Sequence, residues 1–294
     1  MTKAETLDAG LLKRFPLPCH PDDSDKEDRG RLLVIAGSRE LSGAALLSGT
    51  SALRVGAGKL QIATAASVAP SLGVAVPEAR VIPYAEAKNG CIAPGAIGNL
   101  LELAMEADGV VIGSGLEPGA PLDSLIDALL DCGADFPLVL DAAALENLTG
   151  RAERLKAWRG GAVILPHAGE MASLLGCDKE EVSADPLAAA RLATEKLGVT
   201  TVIKGQYSFI VSPDGAAFRF EGGGVGLATS GSGDVLAGIV GGLAARGADP
   251  LTAALWGVYL HGEAGRRLSR EVGRIGFLAR ELPGSIPALL GEAC

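Results

Sequence analysis

"RLLVIAGSRELSGAALLSGTSALRVGAGKLQIAT", residues 31–64, decides the fold. Its first eight residues are a short apolar run closed by Gly37-Ser38, the pattern of a buried strand and its C-terminal turn. Residues 42–58 carry small and apolar side chains at helical spacing, and residues 59–64 return to a strand pattern. Strand, helix and strand joined by so short a crossover form a parallel β-α-β unit.

Working outward, the same alternation repeats. Residues 109–116 read as a strand and glycine turn, 121–133 as an amphipathic helix, and 137–145 as a strand ending in Asp141. Residues 161–176 read as a strand, a Pro-His-Ala-Gly turn and a helix opening at Glu170. A helix over 186–198 and a strand over 200–205 follow. Residues 207–220 read as a hairpin turning at Pro213-Asp214-Gly215, with helices near 234–246, 250–268 and 276–282 beyond it. This order predicts an α/β fold of three layers, with a central, mostly parallel sheet between two helical layers. Residues 1–26 read as an N-terminal extension and 27–294 as one domain. In such folds ligands gather at the C-terminal ends of the strands. Gly37-Ser38, Gly113-Ser114-Gly115, Asp141, His167 to Glu170 and Lys204-Gly205 fall there.

Composition bounds the function. Of 294 residues 48% are hydrophobic and only 4% aromatic, while 41 are glycine, so Ala, Val, Leu and Ile must build the core around close backbone approaches. The net charge of −9 argues against nucleic acid or an anionic membrane as the main partner. A local nest of backbone amides still lets an acidic protein hold phosphate. Five scattered cysteines without a C-x-x-C pair read as reduced thiols of a cytoplasmic protein. The N-terminal residues show no apolar h-region, and no run of about 20 apolar residues resembles a membrane span.

"GLATSGSGDVLAG", residues 226–238, sets Gly, Ser and Thr directly before Asp234 and an apolar helix. Glycines let successive N–H groups converge, and a helix start adds its positive end. Gly231, Ser232 and Gly233 thus form a candidate phosphate cradle, with Asp234 placed to take a proton from an attacking hydroxyl. The competing reading is a plain N-cap in which Ser232 or Asp234 satisfies the first-turn amides. No Gly-Lys-Ser/Thr follows, so the segment is not a Walker P-loop.

This stretch resembles the Gly-Thr-Gly-Asp signature of the ribokinase-like superfamily, with Ser232 in the threonine position. "LPHAGEMASLLG" (165–176) is similar to the Thr-Pro-His-Pro-Gly-Glu-Met segment of one branch, the ADP/ATP-dependent NAD(P)H-hydrate dehydratases. Collinear similarity runs from about residue 27 to 290. The resemblance implies dehydration of hydrated NADH or NADPH, the S epimer, driven by ADP or ATP with Mg²⁺. It implies that Asp234 acts on the substrate hydroxyl while Gly231, Ser232 and Gly233 hold the phosphoryl group, Gly233 also lying near the nucleotide. Ala44, Gly115 and His167 match positions that contact the dinucleotide. Lys204, Gly205, Gln206, Tyr207 and Ser208 match the adenine-nucleotide segment. Glu170 matches an acid that orders Mg²⁺ through water. The family further implies a homo-oligomer, often a tetramer.

Bland readings accompany these. His167 alone is a turn histidine, His261 a packed and hydrogen-bonded one, Glu170 a helix cap and Lys204 a solvated lysine. The chain departs from the family at Gly224, Ala143, Leu165 and Ala168, where Asn, Asp, Thr and Pro are usual. The rival functions are a vitamin-precursor kinase of the same superfamily and a non-catalytic nucleotide-binding regulator.

Overall fold

The computed structural model describes residues 3–293; Cys294 lies outside the described residues. The chain opens with a two-residue strand, β1 (Glu5–Thr6), and one helical turn, α1 (Ala9–Leu12). The predicted β-α-β unit follows as β2 (Arg31–Ile35), α2 (Ser42–Arg54) and β3 (Lys59–Ala65). It is extended by α3 (Ala69–Ala75) and β4 (Arg80–Tyr84). Helix and strand then alternate through α4 (Ile97–Met105), β5 (Gly109–Ile112), α5 (Ala120–Asp131), β6 (Leu138–Leu140), α6 (Ala152–Ala157) and β7 (Ala162–Ile164). Three helices, α7 (Ala168–Leu175), α8 (Lys179–Ala184) and α9 (Pro186–Leu197), lead to β8 (Thr200–Ile203). The hairpin is β9 (Ser208–Val211) and β10 (Ala217–Phe220), and the chain closes with α10 (Ser232–Ala245), α11 (Pro250–Glu271) and α12 (Leu282–Ala293).

The ten strands of the described residues form one sheet in the order β1-β10-β9-β8-β7-β6-β5-β2-β3-β4. Pairing is parallel throughout except at β8–β9 and β9–β10. Period-two alternation divides the strand residues between two cores. Leu32, Val34, Val111, Val139 and Val163 join α2, α10 and α11 on one face. Leu33, Ile35, Val110, Ile112 and Ile164 join α4, α5, α7 and α9 on the other. The three-layer expectation is met. Chain order reverses at β2, which pairs with both β3 and β5, so the crevice beyond Ile35 and Ile112 is the switch point where α/β sheets place ligands.

Two expectations need correction. Part of the N-terminal extension belongs to the fold: β1 continues the sheet beside β10, and Leu7, Leu11 and Leu12 are buried in the core. Trp256 Nε1 also donates to Phe15 O at 2.7 Å. Polar composition hid this, because the strand is two residues long and its pairing is made by backbone alone. The helix expected near 276–282 instead begins at Leu282, behind a single 3₁₀ turn (Ala279–Glu281).

Helix α10 packs against both α2 and the sheet. A Cβ on Gly238 would stand 2.1 Å from Ser48 O, so only glycine lets α10 lie directly on α2. Ser48 Oγ then donates to Asp234 O at 3.0 Å. The backbone of the candidate base is thereby fixed to the helix that carries Ala44.

Candidate active site

The first turn of α10 is where the two readings of the small-residue loop separate. Its N-cap is Gly231, with φ +88° in the left-handed region, and no side chain caps the helix. The Ser232 hydroxyl is engaged elsewhere, 2.9 Å from His261 Nε2. Asp234 does not fold back onto the amides either. The plain N-cap is therefore not what these residues build. Ser232 N donates to Thr229 O at 3.2 Å, so that amide is already used. Of the three amides expected to hold the phosphoryl group, that of Ser232 is therefore taken; the first-turn amides of Gly233 and Asp234 have no intrahelical acceptor and are the ones left for an anion.

Asp234 is half-buried and its pKa is pushed up to about 6. Burial is the main cause and the Asp141 carboxylate the second; the Ser114 hydroxyl and the Lys204 ammonium oppose them. Ser114 Oγ is buried beside the carboxylate without reaching full hydrogen-bond distance of it. A carboxylate with this pKa is charged at neutral pH yet basic enough to accept a hydroxyl proton. His261, desolvated and near Lys204, is driven down to about 4 and stays neutral.

Lys204 follows β8. Its Nζ meets Asp141 Oδ1 at 2.8 Å, with the Asp141 side chain 3% and the Lys204 side chain 21% exposed. A Cβ on Gly233 would lie 3.3 Å from that Nζ and 3.7 Å from Asp141 Oδ2. The ammonium thus stands beside the first turn of α10 rather than in open solvent. The pKa of Lys204 is raised: burial opposes the charge, and Asp141, Glu170 and Asp234 outweigh it. Gly205, Gln206 and Tyr207 form an exposed turn ahead of Ser208, with Arg219 over the Tyr207 ring at 5.3 Å.

His167 and Glu170 open α7. His167 Nδ1 accepts from Gly169 N and Glu170 N at 3.0 and 3.1 Å, while Glu170 Oε2 accepts from His167 N at 2.8 Å. This capping box fixes both side chains and leaves the imidazole largely exposed. His167 is bridged to Lys204, whose N donates to Pro166 O at 2.9 Å. Across the switch point Ala44 and Gly115 touch: a Cβ on Gly115 would stand 2.6 Å from Ala44 Cβ. The predicted residues therefore fall on the C-terminal edge of the sheet around α10. Of the departures, Leu165 is fully buried core, and Gly224 has φ +72° and ψ 175°, a conformation closed to asparagine. Sequence reading missed Asp141 as a partner of Lys204 and Ser114 as a neighbour of Asp234.

A concavity of about 660 Å³ lies at the opposite end of the sheet, among Asp108, Phe136, Arg159 and Asp249, away from these groups. Among the described residues no cluster of three or more His, Cys, Asp or Glu is arranged to chelate a metal, and no helix is long and apolar enough to cross a membrane.

With this geometry in place, comparison with known proteins is direct. The NAD(P)H-hydrate dehydratase family model matches residues 32–288. The chain belongs to the NAD(P)H-hydrate dehydratase family. It is similar to the ADP-dependent (S)-NAD(P)H-hydrate dehydratase of Xanthomonas campestris, 46% identical over 98% of this chain and 96% of that one. It spans about half the length of the bifunctional NAD(P)H-hydrate repair enzymes it matches. Among solved structures, the Bacillus subtilis ADP/ATP-dependent NAD(P)H-hydrate dehydratase co-crystallized with ATP/Mg²⁺ superposes with a TM-score of 0.86, at 28% identity and full coverage of both chains. A ribokinase-like superfamily protein from Enterococcus faecalis gives 0.81 at 25% identity, covering 99% of this chain and 96% of that one. The dehydratase family thus carries the ribokinase-like fold found here.

Proposed function

We propose that this protein restores hydrated NADH and NADPH, the S epimers, by phosphorylating the ring hydroxyl with ADP or ATP and eliminating phosphate. The observation that carries this reading is the uncapped first turn of α10, with Asp234 and Lys204 converging on it.

Asp234 takes the proton of the ring hydroxyl as its oxygen forms a bond to the terminal phosphorus of the nucleotide. The bond from that phosphorus to the bridging oxygen breaks, leaving ADP from ATP or AMP from ADP. The cradle amides and the Lys204 ammonium face the charge gathering on the transferring group. Hydroxide leaves poorly, phosphate well. The ring-nitrogen lone pair expels phosphate, and loss of a proton from the neighbouring ring carbon restores the dihydropyridine. The capping box presents the His167 ring, and the Ala44–Gly115 contact forms the opposing wall for the dinucleotide. Gly205 to Ser208 flank the adenosine end of the nucleotide and Lys204 its terminal phosphate.

Glu170 suits Mg²⁺ held through water: its oxygens are hard donors, and the cation keeps several waters and phosphate oxygens rather than requiring a protein cage. When bound, Mg²⁺ supplies charge neutralisation between the nucleotide phosphates. A homo-oligomer, as the family resemblance implies, is the accompanying proposal; light scattering on the purified protein reads it.

The decisive variant is Asp234→Asn. Restoration of reduced-nicotinamide absorbance is expected to vanish while calorimetry gives nucleotide affinity within about threefold of wild type. Loss of nucleotide binding would make Asp234 a binding residue instead of the base.

A further inference from the structure

Asp141 has no place in the reading above. It is buried, with 2% exposure, and its backbone is held at both ends: N donates to Ile112 O at 3.2 Å, and O accepts from Ala144 N at 3.1 Å. The next residue, Ala142, has φ +48°, a left-handed conformation unfavourable for a residue that carries a Cβ. The chain thus leaves β6 under strain with Asp141 aimed at one target, Lys204 Nζ at 2.8 Å. Without that carboxylate, a four-carbon stem with free rotors has many places to put its charge. With it, the ammonium stands against Gly233, where any side chain larger than hydrogen would meet it.

We propose that Asp141 is a positioning residue for phosphoryl transfer: acting through Lys204, it holds the ammonium at the open end of the amide cradle, where the transferring phosphoryl group binds. The proposal deepens the function given above and rests on that assignment of the cradle. The ionisable groups around this space are Asp141 after β6, Glu170 in α7, Lys204 after β8, Asp234 in α10 and His261 in α11.

The test compares wild type with Asp141→Asn, Lys204→Met and the double variant, titrated with ATP, ADP and AMP in the calorimeter. AMP lacks the group that meets Lys204, so it is the internal control. Asp141→Asn and Lys204→Met should each lower the preference for ATP over AMP about tenfold, the size of one charge-assisted hydrogen bond. AMP affinity should stay within about twofold. The double variant should match Lys204→Met, because the carboxylate has nothing further to do once the ammonium is gone. It also leaves no buried charge unpaired, so it remains folded if a single variant does not. Equal losses for ATP and AMP, an unchanged preference in Asp141→Asn, or additive effects would each overturn the proposal. These titrations need no turnover. A wild-type protein that fails to restore hydrated NADH would overturn the proposed function separately.

Discussion

Asp234→Asn should make this protein inactive and more stable. Asp234 titrates at about 6 in the folded chain against an ordinary value of 3.8. About two units at ~1.4 kcal/mol each is roughly 3 kcal/mol of cost for keeping the carboxylate charged in the fold. Water reaching the half-buried group reduces this to about 2 kcal/mol. Between pH 3.8 and about 6 the folded state holds a proton that the unfolded state has released, so stability falls as pH rises through that window. Above it the whole cost is present. Asparagine has nearly the same shape and no charge. At about pH 7.5 the variant should exceed wild type by ~2 kcal/mol, and the gap should close as pH falls from 6 towards 4. Urea denaturation at several pH values measures this, with an unchanged slope showing that the same transition is compared. A variant less stable than wild type at about pH 7.5, or a gap independent of pH, would refute the reasoning.

Further outcomes follow from the same geometry. The rate of dinucleotide restoration should drop about tenfold per pH unit below an apparent pKa near 6, since Asp234 must be charged to accept the proton; a profile flat from about pH 5 to 7 contradicts this. Gly238→Ala places a methyl 2.1 Å from Ser48 O, so it should cost about 1–3 kcal/mol in denaturation and lower kcat by displacing the turn that carries Asp234. Ser232→Ala leaves His261 Nε2 without its partner and should cost about 1 kcal/mol. Its nucleotide affinity, read by calorimetry, should change little, because backbone amides rather than the hydroxyl face the phosphate.

The parts of the fold legible in the sequence were those with strong periodicity. Residues 31–64 announce β2, α2 and β3 because both their burial and their turns are local properties. β1 was hidden because Glu5-Thr6 has no apolar signature, and β4 because Arg80 and Pro83 interrupt it. The premature helix at 276–282 came from apolar residues that pack without helical backbone: Phe277 is 1% exposed beside Gly226. Asp234 and its cradle could be found because they are contiguous. The Asp141–Lys204 pair could not: its members are 63 positions apart, and only the parallel order of β6, β7 and β8 brings them together. His261 showed the same limit, since helical spacing reveals burial but not that Ser232 is the partner.

The central claim is that nucleotide cleavage at the α10 cradle drives restoration of the hydrated dinucleotide. Its most direct test mixes the protein and Mg²⁺ with hydrated NADH and either ADP or ATP, following reduced-nicotinamide absorbance and phosphate release together. One reduced dinucleotide should be regained per phosphate released, with no recovery when nucleotide is omitted. Phosphate release without recovery, or no recovery with either nucleotide, would contradict it.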